Sequence, residues 1–190
     1  MVMKRVFVSL LAAALAVMVV FGVSILEKRV AEAAPATTVK TCDGDTIKLS
    51  ANEKHVLELH NKARKRRGLK PHCVHPILTQ AARAHTKEML DKDYFSHNSF
   101  DGETLRERLE RFGYTSSGFP CYYVGENISW GCGSYGAPDR TFKRWMHSSV
   151  PRENILWKRF REVGIGVLTG TYKDCSQVTM YAVDFGTRRR

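Results

Sequence analysis

No two of the five cysteines stand in C-x-x-C spacing, and their wide separations argue against a structural zinc knuckle. The chain also lacks a G-x-S-x-G or other nucleophile motif, so the common serine-hydrolase arrangement has no foothold here. There is no internal repeat and no low-complexity tract, and the length suits one domain after an N-terminal segment is set aside. Acidic residues are scarce. The 19 Asp and Glu face 30 Lys and Arg, for a formal net charge of +11. Such an excess attracts anionic partners over long range in a salt-sensitive way.

The N-terminus narrows what those partners are. Lys4 and Arg5 precede an uncharged apolar run over 6–26, and Ala31-Glu32-Ala33 forms an A-x-A-like cleavage site. Residues 1–33 therefore read as a signal peptide, with the mature chain starting near Ala34. The run also reaches the roughly 20 residues needed to span a bilayer, so retention as an anchor is the other reading. Both put the domain outside the cytoplasm, secreted or held at the outer face of the membrane. There, acidic lipid headgroups and anionic envelope polymers are the expected partners, and nucleic acid is not. Removing residues 1–33 leaves a net charge of +9.

In an oxidising compartment Cys42, Cys73, Cys121, Cys132 and Cys175 form at most two bridges and leave one thiol over. The pairing is open. The first candidate is Cys42 with Cys73, which ties the N-terminal arm across the first helix and stabilises by roughly 2 to 4 kcal/mol. Cys132 with Cys175 is the second.

Residues 34–49 are small and polar without helical period, and are expected as a flexible lead-in. The domain proper is expected over 50–187, followed by a solvated basic tail, 188–190. Ser50 and Glu53 fit a capping box, after which Val56, Leu59, His60 and Ala63 recur at helical spacing until Gly68 stops the helix. Arg64 to Arg67 close it as dipole-complementing cations. A second helix is predicted over 79–92, with Leu78, Ala82, His85 and Met89 on one stripe. His60 and His85 are expected as core histidines with a satisfied ring nitrogen. A third helix spans 104–112, and a fourth starts at Pro138 with Phe142, Trp145 and Met146 inward. Strand patterns cover 122–129, 163–167 and 178–185, where Val163, Ile165 and Val167 alternate with Gly164 and Gly166. Helices come first and strands mostly last, which is an α+β order.

Several short segments occur in a specific sequence along this stretch. They are Leu59-His60-Asn61 with Arg64, Tyr94-Phe95-Ser96-His97, Gly125-Glu126-Asn127-Ile128, Trp145-Met146 with Arg152-x-Asn154-Ile155-Leu156, and Gly164-Ile165-Gly166-Val167. Together they resemble a bacterial secreted domain of the CAP superfamily (cysteine-rich secretory, antigen 5 and pathogenesis-related proteins; the SCP domain). The resemblance implies a three-layer α-β-α sandwich with a mostly antiparallel central sheet. It also implies a ligand groove holding two histidines and two acidic residues, where several members bind zinc or another divalent ion through the histidines.

Two of those positions match: His97 stands for the first histidine and Glu126 for the first acid. The second acid is Ser148 here, and the second histidine is Pro151. The groove candidates are therefore His97, Glu126 and Ser148. His147 is a candidate third metal ligand beside His97 and Glu126, because it shares a helical face with position 151 if the helix continues. No catalytic residue is assigned; Ser148 is the nearest nucleophile candidate, and a backbone-bonded loop serine is the plainer reading. The Gly-rich loop 130–136 lacks the lysine and preceding strand pattern of a phosphate loop and reads as a turn. Binding of a lipid, sterol, envelope component or protein ranks before a His/Glu-dependent or metal-assisted, peptidase-like hydrolase. A scaffold with a vestigial groove ranks third.

Overall fold

A computed structural model describes residues 36–189 of the chain. The leader 1–33 and its cleavage site lie outside the described residues. The elements in order are β1 Thr37–Lys40, β2 Thr46–Leu49, α1 Ala51–Lys65, β3 Cys73–Val74, α2 Pro76–Asp91 and α3 Leu105–Arg111. They continue with β4 Cys121–Cys132, α4 Pro138–His147, α5 Ser149–Leu156, β5 Glu162–Tyr172 and β6 Cys175–Arg189.

The expected caps form. The Ser50 hydroxyl accepts from the Glu53 N–H, and the Glu53 carboxylate accepts from the Ser50 N–H at 2.8 Å. Thr104 and Glu107 repeat this box at the start of α3. Pro76 and Pro138 open α2 and α4, where a missing N–H costs nothing.

The central sheet runs β3-β5-β6-β4. Strands β5 and β6 form a long hairpin, β4 pairs antiparallel with β6, and only β3 pairs in parallel, with β5. Alternation along β6 divides the core. Tyr181, Val183 and Phe185 pack with Val56, Trp145, Ile155 and Phe160 under α1, α4 and α5. Met180 and Ala182 face Ala82 and Met89 of α2 on the other side, while Leu78, Ala81, Leu109 and Tyr114 join α2 to α3.

Glycines Gly164 and Gly166 explain why α2 sits so close. A Cβ on Gly164 would stand 2.0 Å from the Leu78 carbonyl carbon, and one on Gly166 would stand 2.4 Å from that of Ala82. The Gly/apolar alternation of β5 thus presents side chains to one layer and bare backbone to the other.

Both expected disulfides are present, Cys42–Cys73 and Cys132–Cys175, and Cys121 is the remaining thiol. Other expectations need correction. The lead-in over 34–49 is, in its described part, a two-stranded hairpin that turns at Gly44 and buries Leu49, with Cys42 bonded to the start of β3. Thr37, Val39, Ile47 and Leu49 supply a strand pattern, which a helical period does not register. The 188–190 tail is not simply solvated, because β6 runs to Arg189 and Arg188 lies over the Tyr114 ring at 4.2 Å. Arg64 is no surface dipole charge: it is buried, and its guanidinium donates to the carbonyls of Lys70, Ile155, Trp157 and Phe160. His60 is buried among Phe142, Trp145 and Phe185, yet neither ring nitrogen has a partner.

Two predictions follow from this packing. Gly164→Ala forces α2 off the sheet and lowers stability by about 3 kcal/mol or more, read as a drop in the urea midpoint at unchanged slope. The second concerns acid. Burial lowers the His60 pKa to about 3 and that of His75 to about 4, and lowers His72 and His85 as well. These rings stay neutral in the fold and protonate on unfolding, so their contribution is complete above pH 6.5 and declines as pH falls towards 4 and 3. Asp184 and Glu162, raised by burial, act with the opposite sign, costing stability as pH rises from their ordinary values through the raised ones. His60→Phe removes two unpartnered polar atoms, so it should hold or raise stability at neutral pH. It should also shrink the loss between pH 6.5 and 5 by about 2 kcal/mol, measured by denaturant titration at each pH.

Candidate functional site

The site lies on the α2 and α3 side of the sheet, at its β4 end. Glu126 on β4 stands opposite Asp184 on β6 in register, so two carboxyls enter one buried layer side by side. That pairing needs a cation, and α3 supplies it. Arg108 donates from Nη2 to Glu126 Oε2 at 2.7 Å, with both side chains about 1% exposed. Its Nη1 donates to the His97 carbonyl at 3.1 Å and to Ser99 Oγ at 3.2 Å, which fastens the loop between α2 and α3 over the pair.

His97 rides on that loop. Its Nδ1–H donates to Glu126 Oε1 at 2.7 Å, while 62% of the side chain remains exposed. The buried carboxylate therefore fixes the ring and its tautomer, and Nε2 is turned to partners from outside. His85 on α2 sits beneath: its Nε2–H donates to the Ser96 carbonyl at 2.9 Å and lies 3.8 Å from Glu126 Oε2. Burial is the main cause that lowers the His85 pKa, and the Arg108 charge adds to it. Asp184 is fully buried with neither oxygen hydrogen-bonded; burial first, and the neighbouring Glu126 charge second, hold its carboxyl well above the usual range. A protonated Asp184 leaves Arg108 and Glu126 as the balanced pair.

Ser148 and His147 do not join this group. The helix stops at Ser148, whose φ of −101° and ψ of 136° are extended, so α4 does not continue to position 151. Ser148 serves the junction: its N–H closes α4 on the Arg144 and Trp145 carbonyls, and its carbonyl accepts from the Arg152 N–H. His147 is exposed, donates from Nδ1 to the Lys143 carbonyl at 2.7 Å, and lines a separate pocket with Tyr135, Arg140, Lys143 and Arg144. Pro151 has a structural task, its carbonyl accepting from Asn127 Nδ2 at 3.0 Å.

The residues present do not fit a zinc ion. Glu126 spends one oxygen on His97 and the other on Arg108, and His85 is committed to a carbonyl. Among the described residues, no group of three or more His, Cys, Asp or Glu is gathered for a metal.

Arg108 and Asp184 are the members that sequence reasoning missed, while His85 is the core histidine with a satisfied ring nitrogen that it expected. Asp184 had a signal, a lone carboxylate inside the apolar run 178–185. Arg108 had none, because it follows and precedes other charged residues on a short helix.

The sequence profile of the cysteine-rich secretory protein family, CAP, matches residues 57–183. The chain belongs to the CAP family. It is 35% identical over 142 residues to the uncharacterized protein YkwD of Bacillus subtilis (strain 168), a match covering 74% of this chain and 52% of YkwD. It is 28% identical over 118 residues to the uncharacterized membrane protein YlbC of the same organism, covering 62% of this chain and 32% of YlbC. The chain thus spans about half or less of the length of these relatives.

Among solved structures, an extracellular SCP-domain protein from Bacillus anthracis str. Ames superposes with a TM-score of 0.58 at 28% identity, over 72% of this chain and 40% of that one. An outer surface protein of Borrelia burgdorferi reaches a TM-score of 0.61 at 17% identity, over 82% and 100%, a likeness of fold. The α+β CAP/SCP architecture is shared throughout. Among the described residues no helix is long and apolar enough to cross a membrane.

Arg108 is the member whose loss costs most. Arg108→Met leaves Glu126 buried without its cation and should destabilise by about 3 to 5 kcal/mol, while adding Glu126→Gln recovers part of that. Urea denaturation of the single and double variants measures both.

Proposed function

We propose that this CAP domain is a binding module acting outside the cytoplasm, secreted or held at a surface, whose groove around His97 and Glu126 takes a lipid or sterol, an envelope component or another protein. The observation that supports it most is the double engagement of Glu126. A carboxylate with one oxygen on His97 and the other on Arg108 is well suited to aim an imidazole at a ligand. Nε2 of His97 then offers one directional hydrogen bond at an exposed position, and the Arg108 contacts hold the loop that carries it.

The second reading, a hydrolase, draws on the same 2.7 Å pair, since a histidine oriented by a carboxylate is the base half of a nucleophile-activating set. Its nearest nucleophile candidate, Ser148, stands at a helix junction with its backbone engaged by Arg144, Trp145 and Arg152.

The test is a binding panel of lipid vesicles, sterols and wall fragments against the native domain and His97→Ala. We expect at least one probe to bind the native protein and to lose about tenfold or more with the variant, in line with a lost charge-assisted or neutral hydrogen bond. Equal affinity in native and variant for every probe bound would overturn the groove assignment. His97-dependent turnover of a peptide substrate would replace the binding module by the hydrolase.

A further inference from the structure

A second site lies away from His97 and Glu126, where β5 starts and β6 ends. The turn after α1 brings Lys70 and Leu69 to the segment between α5 and β5, which carries Lys158, Arg159 and Arg161, and Arg189 at the end of β6 completes a pocket of about 410 Å³. Five of its lining residues are Lys or Arg and none is Asp or Glu. None of the five forms an ion pair with a described carboxylate, although such pairs are common elsewhere on this surface.

Like charges gathered without counter-charges repel one another, so the cluster works against folding rather than for it. Two features show that it is nevertheless built. Arg159 is held in place, donating to the Tyr123 hydroxyl at 2.5 Å with its guanidinium over the Tyr123 and Trp157 rings. Arg161 is anchored through its backbone, its N–H on the Gly186 carbonyl and its own carbonyl accepting from the Cys73 N–H, while its Nε is buried with no hydrogen-bond partner. The charge of Arg161 reaches inward as well, contributing after burial to the lowered pKa values of Arg64 and His72.

We propose that this pocket binds a phosphate-rich anion. Three guanidinium forks match phosphate oxygens in pairs, two lysines add mobile point charges, and more than one negative charge is needed to balance five cations. Free polyphosphate and an acidic phospholipid headgroup share that chemistry. The site does not rest on the groove reading, since no residue of the two is shared.

The test titrates sodium tripolyphosphate calorimetrically into the full chain at low and at physiological salt. The comparisons are Lys158→Gln/Arg161→Gln, Lys70→Gln/Arg189→Gln as a second pair that spares the half-buried Arg161, and Arg140→Gln/Lys143→Gln as a charge-matched control in another basic pocket. We expect one-to-one binding that raises the melting temperature and weakens at least tenfold in both pocket variants but not in the control or in His97→Ala. The second pocket variant, without ligand, should melt no lower than the native chain. Flotation with phosphatidylglycerol against phosphatidylcholine vesicles identifies the source: pocket-dependent capture by the former alone assigns a headgroup, and tripolyphosphate binding without capture assigns a soluble phosphate. No binding to either probe, or equal weakening in the Arg140/Lys143 control, overturns the proposal.

Discussion

Helix α2 lies with its backbone against the bare face of β5, and the rest of the domain is arranged around that contact. Gly164 and Gly166 leave no room for a Cβ beneath Leu78 and Ala82, so the helix is set by backbone approach rather than by interdigitating side chains. The close seat has two effects. It turns Val163 and Ile165 wholly to the opposite layer, where they meet α1 and α5, and it brings His85 down to the level of β4 and β6.

At that level the sheet register places Glu126 opposite Asp184, two carboxyls side by side in a buried layer. Such a pair is tolerable only when one carboxyl is neutral and the other is matched by a cation. Asp184 meets the first condition by burial, and Arg108 meets the second from α3. Buried ion pairs seldom add net stability, but this one determines position: through the His97 carbonyl and Ser99 it ties a loop without regular structure to the sheet. The exposed imidazole of His97 is thereby held by groups that solvent does not reach.

The departures from the family pattern fit this organisation. With Pro151 where the family pattern has a histidine and an extended Ser148 dividing α4 from α5, this stretch engages β4 through its backbone, as the bond from Asn127 to the Pro151 carbonyl shows. The surplus positive charge is likewise not spread evenly. Part is internal, with Arg64 and Arg108 buried and bonded to carbonyls and a carboxylate, and part is concentrated around Arg161 where β5 starts and β6 ends.

The amino-acid sequence by itself determined four of the helices, the three long strands and the family, and it offered Cys42–Cys73 and Cys132–Cys175 as the first candidates among open pairings. Capping boxes, proline starts and the Gly-x-Gly alternation act over a few residues, and the motifs that mark the fold are contiguous. It also placed His97 and Glu126 together, through the family resemblance. What the tertiary structure decided were contacts between residues far apart in the chain. Arg108 and Asp184 meet Glu126 only through helix seating and strand register, which shift every side chain by a face if changed by one residue. Ser148 takes the plainer reading, a backbone-bonded serine at a helix junction, and His147 is a ligand candidate only if α4 continues, which it does not. Whether α4 continues past Ser148 depends on how two helices pack on β4, and no local propensity in that stretch records it.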